Sequence, residues 1–370
     1  MVRSAILATL AMLWLPCGFL KAQTSGEQEK VNKLITQLLE DKDVKKRRLA
    51  LLDLEIYPRG KGVLQALTIA LEKDPEPIVR REVALTLARV GPDAKEAIPQ
   101  LASALKYDKD DAVRTAVARA LLRMVPHSRT ALPQLVDSLH DGQAPTRAAA
   151  AETISALGEH AKLMTPKLID YLKAGADKKY DAAARMHLAL ALGRLGEIGS
   201  KGVPVLIVVV ADSGEDTSVR EAAALSLGRF GLDAPGAAKP LADVLADPKN
   251  ELTFRVAAVK ALASVEGETK QVWPALKIGL ADRDVAVRIL SIRASGQYGK
   301  EEKEVVTTFC KLARTDDDAE IRLAAIQELG ILGGAAQSAI ADLRYIIDND
   351  EREAVRQEAE IALQKISKSD

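Results

Sequence analysis

Few groups in this chain have the reactivity to catalyse a reaction or hold a metal. Four histidines, His127, His140, His160 and His187, and two cysteines, Cys17 and Cys310, stand among its 370 residues. An imidazole ligates a metal or moves a proton near neutral pH, and a thiolate attacks electrophiles, but each chemistry needs partner residues at fixed spacing. The sequence contains no Gly-rich phosphate loop, no Gly-x-Ser-x-Gly elbow and no Cys-x-x-Cys-His haem site. Carboxylates are abundant, yet no pair stands apart as a general acid and base. No catalytic residue, metal ligand set or cofactor is therefore expected. Cys310, within "VVTTFCKLAR", reads as a buried small hydrophobe.

The side chains that do recur are arginine and aspartate, whose chemistry is pairing: a guanidinium fork matches a carboxylate with two parallel hydrogen bonds. Arginines return at Arg47, Arg80, Arg114, Arg147, Arg185, Arg220, Arg255, Arg288, Arg322 and Arg356, at steps of 33 to 38 residues. An aspartate precedes each. Asp41, Asp74, Asp108, Asp141, Asp282, Asp316 and Asp350 lie six residues before theirs, and Asp177, Asp212 and Asp247 lie eight before, in three consecutive repeats with longer turns. These pairs are expected to form a structural ladder, each Asp meeting an Arg of its own or the adjacent repeat and capping free amides at a helix start.

Helices must position that ladder. After each arginine the third, seventh and tenth residues are mostly apolar or small, as in Val83, Leu87 and Val90, or Ala325, Leu329 and Leu332, which makes one helical stripe. In "DTSVREAAALSLGRFG" the stripe is Ala223, Leu227 and Phe230, the helix is expected to begin near Val219, and Gly231 ends it. A second helix precedes each of these, announced by Pro99, Pro133, Pro166, Pro204, Pro240 and Pro274, because proline suits the first helical turn. Aromatic residues are only 3% of the chain and Ala with Leu dominates the apolar share, a helix-forming composition. The period marks an array of hairpins, each covering apolar surface that its neighbour cannot cover alone.

The pattern "D…VR..A...LG..G" preceded by "P.L...L.D" resembles the HEAT repeat, in its short form the phycobilisome-lyase-type HEAT-like repeat. The resemblance covers about residues 31–367. It implies an all-α, right-handed superhelical solenoid of about ten stacked antiparallel helix hairpins. Armadillo repeats need a third helix, and tetratricopeptide repeats need aromatic positions missing here. Neither of two enzymatic relatives has its motif in this chain. Deoxyhypusine hydroxylase-like HEAT proteins imply His-Glu pairs, whereas Ser, Asp, Ala and Leu follow His127, His140, His160 and His187. His127 and His160 share a register thirteen residues after their arginines, but packed helices stand about 8–10 Å apart, too far for a shared ion bound at about 2 Å. Both are expected in solvated turns. The phycobilin-lyase resemblance implies chromophore handling in some relatives and places no catalytic motif here.

Residues 1–22 differ from the rest: Arg3, the apolar run "AILATLAMLWL" and "LKA" before Gln23 read as a secretory signal peptide. The alternative, an uncleaved membrane anchor, has only the 17 residues Ser4 to Leu20, interrupted by Pro16, below the roughly 20 of a comfortable span. Cleavage leaves Cys310 as the sole cysteine and no intramolecular disulfide. Residues 23–30 read as a polar tether and 31–367 as the solenoid. The run "VPVLIVVV" at 203–210 is expected to be an opening helix buried from both sides.

Function is then left to the surface. The 52 basic and 52 acidic side chains cancel, so whole-chain charge does not favour nucleic acid, and "KKRR" at 45–48 reads as a solvated helix face. Nine residues after the helix-opening arginines stand Arg89, Arg123, Arg194 and Arg229, with Ala156 interrupting. They form either a basic ridge that docks an acidic segment of a partner protein or simple charge complements to helix C-termini. Trp273, beside Pro274, is either a second anchor or a packing residue between hairpins. The expected function is an exported, non-enzymatic scaffold that binds a protein partner. The alternatives are a HEAT-architecture enzyme, such as a chromophore lyase-like protein, and a structural envelope component.

Overall fold

The structure is a computed structural model that describes residues 25–58, 60–174, 181–265 and 269–368. The expected leader at 1–22 and Asp177 lie outside the described residues. Among the described residues the α-helices fall into ten consecutive pairs and there is no strand. The first three pairs are α1 (Ser25–Glu40) with α2 (Val44–Leu54), α3 (Val63–Lys73) with α4 (Pro77–Val90), and α5 (Ile98–Tyr107) with α6 (Asp111–Arg123). Next come α7 (Leu132–Asp137) with α8 (Ala144–Leu157), α9 (Thr165–Lys173) with α10 (Ala182–Leu192), and α11 (Val203–Ala211) with α12 (Thr217–Phe230). The last four are α13 (Ala238–Ala246) with α14 (Leu252–Ser264), α15 (Thr269–Leu280) with α16 (Val285–Gly296), α17 (Lys303–Thr315) with α18 (Ala319–Leu332), and α19 (Ile340–Asn349) with α20 (Glu353–Ser367).

The odd-numbered helices open the repeats and the even-numbered ones carry the recurring arginines. Each even-numbered helix packs on its own opening helix and on the even-numbered helices before and after it, which is solenoid stacking. One continuous core runs the length of the array. Its stripe residues, such as Val83, Leu87, Ala223, Leu227, Ala325 and Leu329, are fully buried, at about 25 cal/mol for each Å² of apolar surface removed from water.

Helix starts and stops follow local chemistry. Pro99, Pro133, Pro166 and Pro204 stand in the first two positions of α5, α7, α9 and α11. Pro274 does not open its helix: α15 begins at Thr269 and holds the proline in its interior. Gly91 (φ +66°) and Gly231 (φ +55°) end α4 and α12 in backbone conformations that a Cβ would strain.

Two further expectations are corrected. Residues 25–30 belong to α1, so the polar stretch is helical there rather than a loose tether. Helix α11 buries Val203, Val205, Leu206, Val209 and Val210 but exposes Val208, since it packs as an outer helix with only one face against the core.

Candidate functional site

The candidate site is the even-numbered helix surface, and what fixes its shape is the Arg–Asp ladder. In the regular repeats the arginine sits on the first turn of its helix and the six-residue spacing brings its Nη1 to the carbonyl of its own aspartate: Arg47 to Asp41 at 3.0 Å, Arg80 to Asp74 at 2.9 Å, Arg114 to Asp108 at 2.9 Å and Arg322 to Asp316 at 3.0 Å. Nε and Nη2 are then aimed at the carboxylate of the next repeat. The forks are Arg47–Asp74 (2.7 and 2.9 Å), Arg80–Asp108 (2.7 and 2.8 Å), Arg114–Asp141 (2.6 and 3.2 Å), Arg255–Asp282 (2.7 and 3.1 Å) and Arg322–Asp350 (2.8 and 3.1 Å). Each rung is thus an inter-repeat bond. Arg288 reaches Asp316 by one 3.4 Å contact, and Arg356, in the last repeat, bonds the carbonyl of Asp350 at 2.7 Å and no carboxylate among the described residues.

Capping is a separate task. The ladder aspartate accepts the amide two residues on, as Asp74 does from Glu76 and Asp316 from Asp318, which shapes the turn. The helix cap proper is a second residue, Asp43, Asp110, Asp284 or Asp318, whose carboxylate accepts a first-turn amide. Burial pushes the Asp108, Asp141 and Asp350 carboxyls up, but the guanidinium forks and turn amides outweigh it and hold all three below the usual carboxylate range.

The longer central turns change the pairing. Arg147 bonds Asp181 at 2.8 Å, a residue that also caps α10 through Ala184, and Arg185 bonds Glu215 in place of Asp212. Arg220 pairs with neither Asp212 nor Asp247 and makes no ion pair among the described residues. Its Nε donates to the Val210 carbonyl at 3.1 Å and its guanidinium lies 4.7 Å from the centre of the Phe254 ring. Asp212 and Asp247 stay exposed, each accepting the amide two residues on, from Gly214 and Lys249. In these turns the eight-residue spacing carries the carboxylate away from the seam.

Arg89, Arg123, Arg194 and Arg229 are all exposed near the C-terminal ends of α4, α6, α10 and α12. Two are engaged by a neighbouring repeat: Arg89 bonds Glu55, and Arg194, just past the end of α10, donates to the Ser155 carbonyl at 3.2 Å. Arg123 and Arg229 make no hydrogen bond or ion pair among the described residues. Of "KKRR", Arg47 is buried in the ladder and Arg48 forks onto Glu82, so only Lys45 and Lys46 form a solvated face.

Trp273 is not a surface anchor. It is 4% exposed on α15, with Nε1 donating to Glu304 of α17 at 2.9 Å. His127 and His160 lie exposed in separate turns, and among the described residues no three His, Cys, Asp or Glu side chains converge to hold a metal. Burial pushes the Cys310 thiol up to about 12, which keeps it protonated.

Solved structures with similar folds include the karyopherin Kap121p and importin beta. A complex of Kap121p with the extreme C-terminus of the protein phosphatase Cdc14p matches with TM-score 0.61 and 14% identity over 99% of this chain and 44% of that one. Importin beta matches with TM-score 0.60 and 16% identity over 92% of this chain and 52% of that one. The chain thus spans about half the length of these proteins, and at such identities the likeness is one of fold. No curated protein matches the sequence. The family model described as HEAT repeats matches residues 31–122, 165–263 and 272–364, with hairpin, stacking and ladder recurring across them, and the chain belongs to the HEAT-repeat family.

Proposed function

We propose that this protein is an exported, non-enzymatic scaffold that binds a partner protein along its even-numbered helices. The observation that carries the reading is the exposure of Arg123 and Arg229, at equivalent positions on α6 and α12, with no partner among the described residues. A guanidinium not held within the fold is free to fork onto a carboxylate brought by another molecule. The similar solenoid Kap121p has been solved bound to a C-terminal segment of Cdc14p and to Nup53p, so this architecture accommodates polypeptide ligands. The N-terminal Arg3, apolar run and "LKA" support export.

The test is affinity capture from the native envelope and extracellular fractions with the purified protein as bait, beside an Arg123→Glu/Arg229→Glu variant of unchanged helical content. A discrete polypeptide held by the parent and weakened in the variant is the expected result. Retention of nothing beyond a blank support overturns the scaffold reading. N-terminal sequencing of the native protein checks export, with Gln23 as the expected first residue.

A further inference from the structure

We propose that a groove between α4, α6 and α8 is the subsite that receives an acidic side chain of the partner. This inference rests on the scaffold reading and gives it a location. The groove holds about 450 Å³ and is lined by Arg81, Leu85, Ala112, Thr115, Arg119 and Pro145. Arg81 is half-buried, and its Nε is buried with no hydrogen-bond partner. Arg119 is exposed on the facing helix and makes no hydrogen bond or ion pair among the described residues. By contrast, Arg80 is held by Asp108, Arg114 by Asp141 and Asp111, and Arg48, on α2, by Glu82 of α4. Asp111, on the groove wall, is already committed to Arg114 at 2.5 Å.

A buried guanidinium donor left without an acceptor is unfavourable. An incoming carboxylate supplies a charge partner to Arg81 and Arg119, neither of which makes an ion pair among the described residues. Helix α8 opens at the groove rim with N-cap Gln143, whose side chain makes no capping bond and whose N–H donates to Asp141, a carboxylate already forked by Arg114. Leu85, Ala112 and Pro145 provide apolar wall for the stem of the entering residue and its neighbours, which a lone inorganic anion would not use. Arg123 lies one helical turn beyond Arg119 on α6, so a chain seated in the groove reaches the exposed ridge. The occupant is therefore a polypeptide segment with several Asp or Glu residues.

Fluorescence anisotropy with a labelled ten-residue polyglutamate peptide tests the site, against a polyglutamine peptide of equal length. The parent, an Arg81→Gln/Arg119→Gln variant and a remote Arg283→Gln/Arg344→Gln control would be compared at fixed ionic strength, with circular dichroism to establish folding. Losing charge-assisted bonds is expected to weaken polyglutamate binding by about tenfold in the groove variant and less than about twofold in the control. Equal weakening in both variants, or equal affinity of the parent for both peptides, would overturn the groove. If affinity capture yields a partner that the groove variant holds as tightly as the parent, the groove fails while the scaffold stands; if capture yields nothing, the scaffold reading itself fails.

Discussion

At the N-terminal end of the array, neighbouring hairpins are tied by arginine–aspartate forks at Arg47, Arg80 and Arg114, while at the centre Arg220 holds no carboxylate. Both regions stack the same kind of helix. What differs is the turn, with aspartate six residues before arginine in the N-terminal repeats and eight before it in the central ones. The shorter turn lets one aspartate receive its own arginine on its carbonyl and the preceding repeat's arginine on its carboxylate. The longer turn separates the two tasks: Asp181 and Glu215 take up Arg147 and Arg185 in place of the register aspartates, and only at Arg220 does packing stand in for a carboxylate. Gly228 allows α12 to approach α14 so closely that a Cβ would stand 2.8 Å from the Ala261 Cα, and Arg220 lies over Phe254. Inter-repeat cohesion in this fold therefore has two sources, arginine–carboxylate pairs at most seams and packing without a carboxylate at Arg220.

Acid should separate the two regions most strongly. Asp108, Asp141 and Asp350 have carboxyls held below their ordinary range when folded, so the unfolded chain binds protons first. Their contribution is fully present above the unfolded carboxylate value and is lost as pH falls through the folded values. Thermal unfolding followed by circular dichroism should show Tm nearly constant above about pH 5 and falling steadily below about pH 4. A Tm independent of pH down to about 3 would contradict the ladder's part in stability.

The central seam should answer to volume. Gly228→Ala removes a poor helix former yet forces a methyl against backbone, and should destabilise by about 1–3 kcal/mol in urea titrations. A stabilisation of about 1 kcal/mol, the gain in helix propensity alone, would show that the close approach is not needed.

A smaller effect belongs to Trp273. Trp273→Phe removes the indole donor to Glu304, which remains solvated, and should cost about 1 kcal/mol in the same titration with partner capture unaffected. Lost capture with unchanged stability would restore Trp273 as a binding residue.

Much of this architecture was legible in the sequence for a physical reason: a solenoid repeats its local rules, so the period is written ten times over, with proline starts and glycine stops marking several of the units. The direction of the rungs was not legible. Spacing placed Asp74 near Arg80, yet the backbone carbonyl of Asp74 meets Arg80 while its carboxylate turns to Arg47, an outcome set by turn geometry. The central substitutions by Asp181 and Glu215 were missed because they leave the register that defined the pattern. A signal for the caps did exist: Asp-x-Asp at 41–43, 108–110, 282–284 and 316–318 writes turn and cap side by side. Trp273 stayed open between anchor and packing residue because tryptophan serves either role, and its burial and its bond to Glu304, some thirty residues later, are set by the fold. Arg81 and Arg119 stood outside the arginine register altogether, and nothing in one dimension distinguishes a free guanidinium from a paired one.

The most direct test sets Arg255→Ala beside Arg220→Ala, the same truncation at the same helix position in adjacent repeats, by urea denaturation. Arg255 is 2% exposed and forked to Asp282, so its loss strands a buried carboxylate and should cost about 3–5 kcal/mol. Arg220 gives up one carbonyl bond and a ring contact, and should cost no more than about 1–1.5 kcal/mol. A gap of about 2 kcal/mol or more between the two is the expected result; equal costs would mean that the forks do not hold the repeats together and that packing alone does.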